Sequence, residues 1–168
     1  EGTVCVVTGG GSGIGRATAL LMARHGAAVA VAGRTASKAD SVKKEIESLS
    51  GTALSYALNV ADRQAVFEMV GEVERELGSI GVLVNAAGHS SPNRRLLTTT
   101  PDEIHSVLES NLGGTIYCTQ AVVPGMLRSG RGTIINVSSL AGANPSVVGG
   151  MAYGAAKAAV INFTRFVN

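Results

Sequence analysis

The chain has 168 residues, 45% of them hydrophobic and 15% charged, with a mean hydropathy of +0.27. That balance excludes a disordered chain, and the length suits one ordinary domain rather than two. Fourteen basic and twelve acidic residues leave a net charge of +2, too small and too scattered for a nucleic-acid footprint.

Apolar β-branched runs alternate with helical patterns along the chain. Thr3–Thr8 reads as a buried strand, Ile14–His25 as a helix and Ala27–Ala32 as a second strand. Ser37–Leu49 follows as a helix with a Ser start and a Gly51 stop, and Ala53–Leu58 as a third strand. Asp62 caps a helix that runs to Leu77 before Gly78, with Val66, Val70, Val73 and Leu77 on one face. Val82–Asn85 is a fourth strand. Pro101 to about Leu127 reads as one long helix, with Thr100 as its cap. Gly132–Val137 is a fifth strand, and Ala152 onward is a last helix without a stop signal. Strands that are continuous apolar runs fit a sheet covered by helices on both faces. The alternation therefore predicts a doubly wound parallel α/β sheet in three layers, α/β/α, with ligands at the carboxyl ends of the strands.

No run approaches the ~18 consecutive apolar residues of a membrane span. The N-terminus shows no basic stretch followed by a secretory apolar core. Cys5 and Cys118 lie outside any CxxC or Cys/His cluster, so a metal site has no support, and two thiols in apolar stretches fit a reducing compartment. The 22 glycines are roughly twice the ordinary share, and they gather at Gly9–Gly15, Gly113-Gly114 and Gly149-Gly150.

Thr8-Gly9-Gly10-Gly11-Ser12-Gly13-Ile14-Gly15 joins the first strand to the first helix. Glycines there let backbone N–H groups approach a pyrophosphate, and the helix N-terminus adds partial positive charge. A P-loop starting at Gly10 fails, because Arg16-Ala17 stands where Lys-Ser/Thr is needed, and a strict GxGxxG fails too. What remains is TGxxxGIG. It resembles the glycine loop of the short-chain dehydrogenase/reductase family. Leu83-Val84-Asn85-Ala86-Ala87-Gly88 resembles the family's NNAG motif, with Ala86 in place of the second Asn. Leu58-Asn59-Val60 stands where many members carry Asp-Val, and Asn there is similar to 3-oxoacyl-acyl-carrier-protein reductases. Asn111, Ser139, Tyr153 and Lys157 match the family's Asn-Ser-Tyr-Lys tetrad. Ser139 matches better than Ser138, and Gly149-Gly150 can absorb a spacing to Tyr153 that is one residue long.

The resemblance implies a Rossmann-type domain over residues 1–168, truncated on its C-terminal side and lacking the last strands and helical lid of the usual fold. It implies a dinucleotide held by Gly9, Gly11, Ser12, Gly13, Ile14 and Gly15, by Asn59 and Val60, by Asn85, Ala87 and Gly88, and by Tyr153 and Lys157. The implied chemistry is hydride transfer between a nicotinamide and a carbonyl. Tyr153 is then the general acid, Ser139 hydrogen-bonds the substrate oxygen, and Lys157 favours the phenolate and holds the ribose. Asn111, poorly placed mid-helix, opens the helix locally and holds a relay water. After the second strand stand Gly33 and Arg34 rather than a carboxylate. Arg34 can pair with a 2′-phosphate, which favours NADP(H) over NAD(H).

The substrate class expected is a small carbonyl compound, including one carried on acyl carrier protein or coenzyme A. Hydroxysteroid and general carbonyl reductases share these motifs, and a non-catalytic nucleotide-binding module is the reading from another class. Ala155, Ala156, Ala158 and Ala159 allow the close helix approach of a homo-oligomer. The compartment expected is the cytoplasm, with the mitochondrial matrix as the alternative. Of the histidines, His25 suits a helix C-terminus, His89 lies near the active-site mouth and His105 faces solvent.

Overall fold

The computed structural model describes residues 2–144 and 148–167. Five strands form one sheet in the order β3-β2-β1-β4-β5, all parallel. They are β1 (Val4–Thr8), β2 (Ala28–Gly33), β3 (Ala53–Ala57), β4 (Ile80–Asn85) and β5 (Thr133–Asn136). Helices α1 (Gly13–Arg24), α2 (Ala36–Ser48) and α3 (Arg63–Leu77) connect the first four strands. Between β4 and β5 run α4 (Pro101–Leu108), a π-helical turn (Glu109–Gly113) and α5 (Gly114–Ser129). A short α6 (Leu140–Ala143) and then α7 (Met151–Phe166) follow β5.

The three layers follow from the two-residue period of β1. Val4 and Val6 point into the core beneath α3 and α5, with Val66, Val70 and Val122. Cys5 and Val7 point into the opposite core beneath α1 and α2, with Ala19, Val42 and Ile46. Burial pushes the thiols of Cys5 and Cys118 up to about 12, so both behave as small apolar side chains. Among the described residues no helix is long and apolar enough to cross a membrane, and no cluster of ligating side chains could hold a metal.

The long helix that starts at Pro101 is interrupted around Asn111, where a local opening was expected. The Asn111 side chain donates to Val107 O at 2.8 Å, the carbonyl its own N–H would take in an α-helix, and the ladder slips into the wider π turn. Helix α2 starts one residue early, with Thr35 rather than a serine in the capping place and no side-chain cap bond. The outer strands are less covered than a sheet buried on both faces requires. Ile135 on β5, the last strand in the sheet order, is 46% exposed.

Where polar caps were expected, they are built. Asp62 Oδ1 accepts from Ala65 N at 3.1 Å. Thr100 and Glu103 form a reciprocal capping box ahead of Pro101. Asp62→Ala should lower unfolding free energy by about 1 kcal/mol in a denaturant titration, while Asp62→Asn should retain most of it.

Candidate active site

The strand order reverses between β1 and β4: β2 and β3 lie to one side of β1, β4 and β5 to the other. The loops leaving β1 and β4 therefore part, and a crevice opens at the carboxyl end of the sheet. It encloses about 790 Å³. Its walls are the glycine loop, the Gly33–Thr35 turn, the Ala86–Ser90 segment, the Val137–Ala141 turn, Asn111, and Tyr153 and Lys157 of α7.

The glycine loop packs on itself. A Cβ at Gly15 would collide with the backbone of Gly9, so only glycine lets α1 begin this close to the end of β1. Thr8 fastens the loop to the next wall, since its Oγ1 accepts from Ala87 N at 3.2 Å and donates to Val84 O at 3.4 Å. Ser12 precedes α1 without a side-chain cap bond, which leaves the first-turn N–H groups for an anion in the cleft. These observations fit a dinucleotide pyrophosphate.

The four residues matched to the tetrad line the crevice from three elements. Lys157 is 4% exposed, and burial holds its ammonium below the usual lysine range. Its Nζ donates to Val137 O at 2.8 Å and lies 5.7 Å from the centroid of the Tyr153 ring. Asn111 is fully buried, and its Nδ2 donates to His89 O and to Val107 O, both at 2.8 Å. That orientation leaves Oδ1 without a partner. A Cβ built on Gly88 would run into Asn111 Oδ1 and sit 3.5 Å from Lys157 Nζ. The free acceptor and the ammonium thus flank one point above Gly88. Ser139 caps α6, where its Oγ accepts from Ala141 N at 3.2 Å and keeps its hydrogen to donate. The neighbouring Ser138 has donated its hydrogen to Lys157 O at 2.8 Å.

The remaining expected residues divide by position. Gly9, Gly11, Ser12, Gly13, Ile14, Gly15, Arg34, Val60, Ala87 and Gly88 line the crevice. Asn59 instead lines a smaller recess beside it with Arg34 and His89, and its Oδ1 accepts from Ala61 N at 3.2 Å. Asn85 lies behind the wall. It is buried, and its Nδ2 reaches Asn136 Oδ1 at 2.9 Å and Thr119 Oγ1 at 3.4 Å. Arg34 is exposed, and no carboxylate pairs with it among the described residues. His89 lines the crevice, is held by Ser106 Oγ at 3.2 Å, and titrates below the usual histidine range through burial and the nearby Arg34 charge. The structural parts of Thr8 and Ser138 had no sequence signal, because each acts through a main-chain atom distant along the chain.

A sequence profile of the short chain dehydrogenase family matches residues 3–168. The chain belongs to this family. Within it, the 3-oxoacyl-acyl-carrier-protein reductase of Thermotoga maritima is 42% identical over 167 residues, 98% of this chain and 66% of that protein. A short-chain reductase of Streptomyces niveus is 42% identical over 163 residues, 97% of this chain and 61% of that protein. Among solved structures, an NAD+-bound xylitol dehydrogenase superposes with a TM-score of 0.95 at 32% identity, over 99% of this chain and 64% of its own. A metagenomic short-chain oxidoreductase in complex with NADP gives 0.94 at 35% identity, over 99% of this chain and 74% of its own. The chain therefore spans about two thirds of the family members it matches. The named relatives include structures with each dinucleotide, so family membership supports NAD(P)(H) binding without choosing between them.

The buried lysine has a measurable consequence. Its value is lowered from 10.5, so in the window just below 10.5 the unfolded chain binds more protons than the folded one. Stability should rise with pH through that window. Lys157→Met should remove this contribution and raise stability near pH 7, as read from denaturation midpoints across pH.

Proposed function

We propose that the chain is the dinucleotide-binding and catalytic part of an NADPH-dependent reductase that converts a carbonyl, a 3-oxoacyl thioester or similar ketone, to an alcohol. The observation that carries this reading is the meeting of an uncapped glycine-loop helix with Tyr153, Lys157, Ser139 and Asn111 in one crevice. The names of the acyl-carrier-protein reductases among the relatives support the substrate class. A bound nicotinamide supplies the hydride.

The protein's own groups then handle the oxygen. Ser139 Oγ–H hydrogen-bonds the carbonyl oxygen and stabilises negative charge as it grows there. Tyr153 donates its phenolic proton to the same oxygen, closing the reduction as an alcohol. Lys157 stabilises the phenolate left behind, and the buried site strengthens that interaction by excluding water. Asn111 Oδ1, without a protein partner and close to Lys157, takes the relay position through which a proton returns from solvent. The Ser138 hydroxyl is committed to a main-chain oxygen, which favours Ser139 as the substrate contact.

NADPH is favoured because Arg34, at the edge of the crevice and with no carboxylate partner among the described residues, suits a 2′-phosphate, and Lys38 lines the same wall. In a homo-oligomer, Ala155 and Ala158 are exposed on α7 and suit a close partner helix, whereas Ala156 faces the chain's own core.

Titration with NADPH and NADH, followed by cofactor fluorescence, should show NADPH bound more tightly. Arg34→Ala should weaken NADPH by about tenfold and leave NADH nearly unchanged. Binding of neither would overturn the reading. Tyr153→Phe should lower ketone turnover by at least ~100-fold with dinucleotide affinity within about twofold of the parent. Parent-like turnover in that variant would remove Tyr153 as the proton donor.

A further inference from the structure

Ser138 and Ser139 stand side by side after β5, and they are committed in opposite directions. Ser139 keeps its hydrogen for the crevice. Ser138 donates its own to the main-chain oxygen of Lys157 at 2.8 Å, a residue 19 positions later. The residue before it, Val137, accepts from Lys157 Nζ at 2.8 Å. Two consecutive residues at the end of β5 thus hold both ends of the same lysine. Gly142 closes the arrangement: a Cβ there would meet the carbonyl group of Lys157, so α6 lies directly against that peptide unit. Farther along α7 a second tie joins the same strand to the same helix, Asn136 Nδ2 to Thr164 Oγ1 at 3.0 Å.

A lysine needs such a hold. Its side chain is a flexible four-carbon stem, and its ammonium is strongly hydrated in water. Lys157 has no carboxylate partner among the described residues. The polar groups around it are Val137 O, Asn111 Oδ1 and the Tyr153 ring. A small slide of α7 along β5 would let Nζ leave Val137 O for solvent. The side chain cannot resist that slide, because the slide starts in the backbone that carries it.

We propose that Ser138 is a positioning residue for Lys157: by holding the lysine's carbonyl, it sets the register of α7 on β5 and so keeps Nζ beneath Tyr153. The proposal rests on the reading of Lys157 as the group that supports the Tyr153 phenolate. It also accounts for the paired serines, with one hydroxyl spent on geometry and the other left for substrate.

The test reads the lysine directly. Lysine isotopically labelled at the side chain is followed by NMR through a pH titration of the full chain, with the Lys157 signal assigned by its loss in Lys157→Arg. Ser138→Ala should move the Lys157 midpoint toward the ordinary lysine value by at least about 0.5 pH unit, because a released ammonium regains water. Ser138→Thr keeps the hydroxyl and should keep the parent midpoint. Thr164→Val cuts the other tie between the same two elements and should also leave the midpoint in place. If Ser138→Ala does not fold, Ser138→Cys, similar in size but a weak donor, should move the midpoint in the same direction. A parent-like midpoint in Ser138→Ala, or in the cysteine variant if it is the one that folds, overturns the proposal. So does an equal shift in Thr164→Val. In ketone reduction, Ser138→Ala should lower kcat about tenfold at nearly constant KM, with Ser138→Thr restoring it. A parent chain that binds no dinucleotide would sink the reductase reading and leave the lysine titration readable.

Discussion

Strand β1 is buried along its whole length and pairs with β2 on one side and β4 on the other. This central position constrains the rest of the chain. Both faces of β1 must be covered, so α1 and α2 pack on one side and α3 and α5 on the other. Both edges are occupied, so the loops that leave β1 and β4 cannot cross each other and separate at the top of the sheet. The crevice is the space they leave. The glycine loop and the Ala86–Ser90 segment are adjoining parts of its wall.

Polar groups inside the fold are concentrated beneath this crevice. Asn85 reaches Asn136 across the β4–β5 pair, and Asn136 reaches Thr164 on α7. Asn85 also reaches Thr119, whose hydroxyl donates to Thr115 O, while the Thr115 hydroxyl donates to Asn111 O. These directional bonds link α5 and α7 to the sheet in a low-dielectric interior. Tyr153 and Lys157 stand on α7 and Asn111 in the π turn that leads into α5, so this network and the wall of the crevice share those elements. The π turn belongs to it as well, because Asn111 spends its side chain on carbonyls at 89 and 107 and thereby presents Oδ1 upward.

Much of this was legible in the residues. The Val-rich strands, the caps at Asp62 and Thr100, and the glycine spacing each act within a few residues, so local chemistry reports them. The Tyr153–Lys157 pair was legible because four residues is one helical turn. The opening at Asn111 was expected, but not its bond to His89 O, a residue far away in the chain, and the short helix after Ser139 is only four residues long, with no periodicity to read.

By itself the sequence determined the alternation of strands and helices, the parallel doubly wound class and the place of the glycine loop, because these rest on periodicity, propensity and spacing; the tetrad came only from resemblance to a family. Only the tertiary structure decided which of two adjacent serines keeps a free hydrogen, that Lys157 is buried and held at both ends, and that Asn59 lines a side recess. The physical reason is that a hydrogen bond to a main-chain atom many positions away leaves no trace in residue type. The acceptor is common to every residue, and only the path of the chain brings it within reach.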